Sequence, residues 1–82
     1  MRSMAIEMAI EMVKGAIKAD NERNYVQAFN LYKECLGYFM DAIKISQNPQ
    51  TKATIMSRMD AYMKRAEQLK PVVDKMKAAG KG

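Results

Sequence analysis

The chain has 82 residues, with 14 Lys and Arg against 9 Asp and Glu, no histidine, one cysteine and no tryptophan. That length holds one small domain, and a hydrophobic fraction of 49% argues against wholesale disorder. The net charge of +5 raises an anionic partner, but residues 1–63 hold eight basic and seven acidic side chains, so the excess sits after Met63.

The first apolar series, Ile6, Ile10, Val13 and Ile17, steps by four, three and four residues. That is a helical period, and it predicts a core-facing stripe on a helix over 3–21. Ser3 stands at the N-cap position, and Glu7 and Glu11 lie near the positive end of the helix. Off the Ile6/Ile10 face, Met4, Met8 and Met12 form a second row. It is either a contact surface with the third helix or simply exposed.

A polar turn, Asp20 to Asn24, ends the segment. Asn24 followed three residues later by Gln27 resembles a capping box, and a second helix is expected over 25–46. Ala28, Tyr32, Cys35, Phe39 and Ala42 share one face, while Phe29, Leu36, Met40 and Ile43 form a second stripe about 90° away. Such a wide apolar arc suits a helix packed between two neighbours. Gly37, which costs ~1 kcal/mol in a helix interior, is read as a point of close approach. Cys35 points into the core as a small hydrophobe.

Asn48-Pro49 signals a third helix start. Ile55, Met59, Tyr62, Ala66 and Leu69 then recur at four, three, four and three, giving a core face over 49–70. Pro71 predicts a kink or a stop, with Val72, Val73 and Met76 available to prolong the apolar edge. The expected fold is all-α, an antiparallel up-down-up three-helix bundle over residues 1–76, with 77–82 beginning a basic linker.

The surface beside that core suggests a peptide groove. Met56 and Met63 lie one heptad apart on one flank of the third helix, and Asp60 and Glu67 lie beyond them at the same spacing. With Met59 counted as a further groove residue between them and Phe29, Leu36, Met40 and Ile43 as the opposite wall, these make apolar pockets with a carboxylate rim, suited to an amphipathic helix carrying Leu and a cation. Nine methionines supply adaptable side chains for such a surface. Paired acids such as Glu7 and Glu11 have no pocket around them, so no catalytic residue, metal ligand or cofactor site is assigned. No apolar run approaches the ~18 residues of a membrane span and no signal-peptide pattern opens the chain.

The run Ala9-Ile-Glu-Met-Val-Lys-Gly-Ala-Ile-Lys-Ala-Asp20 followed by Asn24-Tyr-Val-Gln-Ala-Phe-Asn-Leu-Tyr32 resembles the MIT (microtubule-interacting and trafficking) domain. So do Tyr38-Phe-Met-Asp-Ala-Ile-Lys44 and Tyr62-Met-Lys-Arg-Ala-Glu-Gln-Leu-Lys70, and the likeness spans about residues 5–70. It is greatest to the MIT domains at the N-terminus of the ESCRT-III-disassembling AAA ATPases of vacuolar protein sorting. The resemblance implies a binding module, not a catalyst, taking C-terminal tails of ESCRT-III subunits. One motif class binds as a helix between helices 2 and 3. Another binds as an extended, proline-containing strand between helices 1 and 3, where Met8, Met12 and Tyr62 are the expected contacts.

By position, Met63 stands at the family's central groove leucine, and Glu67 at the acid that meets a ligand arginine. Lys64 replaces a commonly acidic position and Met56 a commonly basic one, which alters the polar pattern of the groove. The resemblance further implies a cytoplasmic protein recruited peripherally to endosomal membranes, monomeric in isolation, contacting membrane only indirectly and without nucleic acid. A different function would be a basic adaptor contacting anionic membrane or microtubules through its C-terminal lysines.

Overall fold

The computed structural model describes residues 4–80, which form three helices: α1, Met4–Asn21; α2, Tyr25–Ile45; and α3, Pro49–Gly80. Ser3 and its expected cap, and Lys81 and Gly82 of the expected linker, lie outside the described residues. Helix α2 is the central element, packed against both others, and among the described residues no Cα of α1 comes within 8 Å of one in α3.

Small residues set the closest seam. The buried stripe of α1 is Ala9, Val13, Ala16 and Ala19, and α2 answers with Ala28 and Ala42. Alanines bring two helix backbones together because little side chain stands between them. Gly15 belongs to the same seam, since a Cβ there would lie 3.3 Å from Leu31 Cδ1. The expected stripe of Ile6, Ile10, Val13 and Ile17 is therefore offset. Val13 is buried, but Ile10 and Ile17 are 41% and 43% exposed on a flank. Gly37 does not serve close packing between helices, because a Cβ there would meet nothing within 4 Å.

The α1–α2 turn closes tightly. Arg23 takes a left-handed conformation with φ 64°. The Asn24 amide donates to the Ala19 carbonyl at 2.8 Å and the Arg23 amide to that of Asp20 at 3.0 Å, a Schellman arrangement that satisfies the last carbonyls of α1. Asn24 begins α2, but its side chain makes no capping bond to the backbone; it donates instead to Gln27 Oε1 at 2.6 Å. The real side-chain cap is Asn48, whose Oδ1 accepts from the amides of Gln50 at 2.8 Å and Thr51 at 3.3 Å. Pro49 follows at the first helical position, as expected.

Helix α3 runs through Pro71 to Gly80 with no stop. An interior proline removes one helical hydrogen bond and costs ~3 kcal/mol. The proline ring, however, lies on an exposed face, and the helix beyond it places Val73, 1% exposed, in a core cluster with Ala16, Ala19, Ala28, Tyr32, Ala66 and Leu69. That burial holds the helical path past the proline. The stretch from Lys77, expected as a fraying linker, is helical as far as Gly80.

Candidate functional site

On α2 and α3 the second apolar stripes face outward on adjoining flanks. Met40, Met56 and Met63 are 50%, 59% and 44% exposed, while Phe29, Leu36 and Ile43 are half-buried. Leu36 and Ile43 pack on the lower edge of the core cluster formed by Phe39, Ala42, Ile55 and Met59, and Phe29 packs on the other cluster. Phe29, Leu36 and Ile43 are thus held from below by the core, and with the exposed methionines they form an apolar strip along the α2/α3 seam. Met59 is not part of that surface. It is buried, and its place is the core under the strip.

The rim is more mixed than two carboxylates. Asp60 is ion-paired to Lys64 Nζ at 3.0 Å within one helical turn, so much of its charge is locally answered. Glu67, exposed, forms no ion pair or hydrogen bond among the described residues. At the far end Lys33 Nζ stands 5.2 Å over the Phe29 ring, a cation–π contact that puts positive charge beside the strip.

A second opening lies between α1 and α3, where their backbones stay apart. A cleft of about 330 Å³ is lined by Ile6, Ile10, Phe39, Thr54, Ile55 and Arg58. Met8 and Met12, expected there, do not line it. At about 100° per residue they fall on the opposite flank of α1, the one that carries Gly15 and turns toward Leu31 of α2. Tyr62 is half-buried in the interior, its ring stacked between those of Tyr32 at 6.2 Å and Phe39 at 5.9 Å. It joins the two core clusters and is not among the residues that line the cleft. Helical periodicity puts Ile10 on the expected core stripe and carries no signal for Thr54 or Arg58. The row Ala9, Ala16 and Ala19 was the available signal for the true buried face.

One polar cluster ties all three helices. Arg65 of α3 donates from Nε to Asp20 Oδ2 at 2.7 Å and from Nη2 to Asp20 Oδ1 at 2.6 Å, a bidentate pair. The Tyr32 hydroxyl of α2 donates to Asp20 Oδ2 at 3.1 Å. The Arg65 hydrogen bonds hold the Asp20 carboxyl below its usual 3.8, against an opposing effect of burial. Burial, then the bond to Asp20, pushes the Tyr32 phenol up to about 12. Burial also raises the Cys35 thiol to about 11, and its Sγ contacts the Tyr32 carbonyl at 3.0 Å. A thiol held protonated in this way is no nucleophile.

The described residues contain no helix long and apolar enough to cross a membrane and no cluster of His, Cys, Asp and Glu able to hold a metal ion. The apolar strip and the apolar cleft are both seams between helices.

The sequence profile of the MIT (microtubule interacting and transport) domain matches residues 6–71. Vacuolar protein sorting-associated protein 4 of Dictyostelium discoideum is 40% identical over 72 residues, covering 88% of this chain and 16% of its own length. Protein SUPPRESSOR OF K(+) TRANSPORT GROWTH DEFECT 1 of Arabidopsis thaliana is 41% identical over 68 residues, covering 83% and 16%. The human serine/threonine-protein kinase ULK3 is 34% identical over 65 residues, covering 79% and 14%. The chain thus spans about a sixth of the length of these relatives, at 16%, 16% and 14%. A profile match over nearly the whole bundle and identity near 40% place this chain in the MIT domain family.

Proposed function

We propose that the domain binds C-terminal motifs of ESCRT-III subunits along the α2/α3 strip and thereby recruits an attached ATPase to endosomal membranes. The carrying observation is the outward row of Met40, Met56 and Met63, 50%, 59% and 44% exposed, next to Leu36 and Ile43, which pack on the core, and beside the unpaired carboxylate of Glu67. A ligand helix lays its apolar face on the methionines and directs one Arg or Lys to Glu67. Because Asp60 is engaged by Lys64, Glu67 carries most of the charge recognition. The relatives support a vacuolar-sorting role by the name of one of them. The occurrence of the same domain in a protein kinase supports a transferable binding role over a catalytic one.

A second mode follows from the α1/α3 cleft. Its apolar lining of Ile6, Ile10, Phe39 and Ile55, with Arg58 at its edge, fits an extended apolar segment carrying an acid. In both modes the domain acts as a monomer and contacts membrane through its ligands.

The strip is short and a tail orders on binding, so single-motif affinities on the order of 1–100 μM are expected, with avidity supplying tight recruitment. Met63→Asp places a charge in the middle of the strip. It is expected to weaken an ESCRT-III C-terminal helical peptide at least about tenfold while leaving the melting temperature nearly unchanged, since Met63 is 44% exposed. Calorimetry and thermal denaturation on the same variant check this. Unaltered affinity rules out the α2/α3 strip. If the chain instead binds anionic vesicles or microtubules with a steep salt dependence, and loses that binding when Lys75 and Lys77 become Gln, the basic-adaptor function takes its place.

A further inference from the structure

The sulfur of this chain lies in nine methionines and one cysteine, and the fold sorts them by access. Cys35 is fully buried and Met59 is 8% exposed, both in the core under the α2/α3 strip. Burial raises the Cys35 thiol to about 11, so it has little thiolate to offer an oxidant. The strip above is the opposite case, because Met40, Met56 and Met63 stand open to solvent there.

These thioethers are neighbours. Tyr62 stacks between Tyr32 and Phe39, which sets the antiparallel register of α2 and α3. Counted from there, Met56 falls level with the turn between Met40 and Ile43, and Met63 falls level with the turn just before Leu36. The other exposed methionines lie away from the strip, Met4 and Met8 on α1 and Met76 near the end of α3. Leu36 and Ile43, also in the strip, show that plain hydrocarbon can fill it. A thioether adds one property they lack: its sulfur takes an oxygen atom from a peroxide and yields it again to a thiol reductant. The resulting sulfoxide oxygen is a hydrogen-bond acceptor, and the apolar face of a docked helix leaves it unsatisfied.

We infer that Met40, Met56 and Met63 form a reversible oxidation site, at which a peroxide releases the helical ligand from the strip. This rests on the strip being the ligand site. At each sulfur a lone pair attacks one peroxide oxygen. The S–O bond forms as the O–O bond breaks, and the other oxygen leaves with both protons as water. Sulfur loses two electrons and the peroxide gains them. Two thiols of a reductant return the electrons, giving thioether, disulfide and water. The fold persists through this cycle because Met59 and Cys35 are shielded in the core.

The test uses the whole 82-residue chain and a methionine-free amphipathic helical peptide with Leu along one face and a single Arg. Calorimetry measures its affinity before and after treatment with hydrogen peroxide, and mass-spectrometric peptide mapping locates the added oxygen. Met40, Met56 and Met63 are expected to oxidise ahead of Met59 and Cys35, with affinity falling at least about tenfold and melting still cooperative. Methionine sulfoxide reductases with a dithiol are expected to restore the affinity. Met40→Leu, Met56→Leu and Met63→Leu combined should make the affinity insensitive to peroxide, whatever its starting value. Met4→Leu, Met8→Leu and Met76→Leu combined should leave the peroxide effect as in the parent. The inference is overturned, with the strip still standing as the ligand site, by any of four results. The three sulfoxides form and the peptide binds as before; the strip triple variant still loses affinity; the reductases do not restore it; or the loss coincides with unfolding. If the untreated chain does not bind the peptide, or Met63→Asp binds it as the parent does, the strip itself fails as the ligand site and the inference falls with it.

Discussion

Asp20 illustrates how one side chain can hold a small bundle together. It lies at the end of α1, only 13% exposed, and its two oxygens are shared between Arg65 of α3, 40% exposed, and Tyr32 of α2. Arg65 can be solvated if the pair is lost, so most of the cost falls on the Tyr32 hydroxyl and on the missing charged hydrogen bonds. Asp20→Asn is expected to lower stability by about 2 kcal/mol, a fall in melting temperature of about 10 °C for a domain this size. The pH dependence has a definite sign. Asp20 titrates lower in the fold than its usual 3.8, so its stabilisation is fully present above that value and is lost as pH falls through the folded value. The parent should therefore lose stability on acidification below about pH 4 more steeply than the Asn variant, which denaturant melts at several pH values would read out. Nothing in the sequence pairs Asp20 with Arg65. One belongs to a polar turn and the other to a basic stretch, and only the three-dimensional path of α3 joins them.

At the scale of elements, α3 departs furthest from expectation. Periodicity located its start at Asn48-Pro49 and its core face through Leu69, because helical spacing and a proline-compatible first turn are local properties of the chain. Its end was not legible. Whether a helix continues past proline depends on what lies beyond, and the burial of Val73 against alanines of α1 and α2 is a tertiary fact. The same limit explains α1, where the larger isoleucines drew attention from the alanines that form the seam. A direct check is Pro71→Ala. It restores an amide donor in a helix that is already formed, and it loses the restriction proline places on the unfolded chain. The net gain should be about 1–2 kcal/mol, seen as a rise in melting temperature of about 5–10 °C. If α3 truly ended at Lys70, the substitution would change stability little.

The whole molecule is a central helix with two flankers that meet each other only through side chains. The α2/α3 strip was legible because it needs only residues seven apart on each of two helices, whereas the α1/α3 cleft depends on how far apart two backbones stand. That separation also governs how the bundle comes apart. Close to the α1–α2 turn, Arg65 and Asp20 clasp α1 to α3, but at the other end the two helices are divided by the cleft at Ile6, Ile10, Thr54 and Arg58. Local opening costs least where the fewest buried contacts must break. Native-state hydrogen exchange should accordingly be graded. Amides in the middle of α2, around Cys35 and Phe39, are expected to exchange only on global unfolding. Those in the first turns of α1 and α3 should exchange by partial opening that leaves the Asp20 clasp closed. Uniform protection across all three helices would mean that the bundle opens as one unit. With graded protection, the end of the molecule that holds the cleft can loosen around a bound segment while the opposite end stays folded.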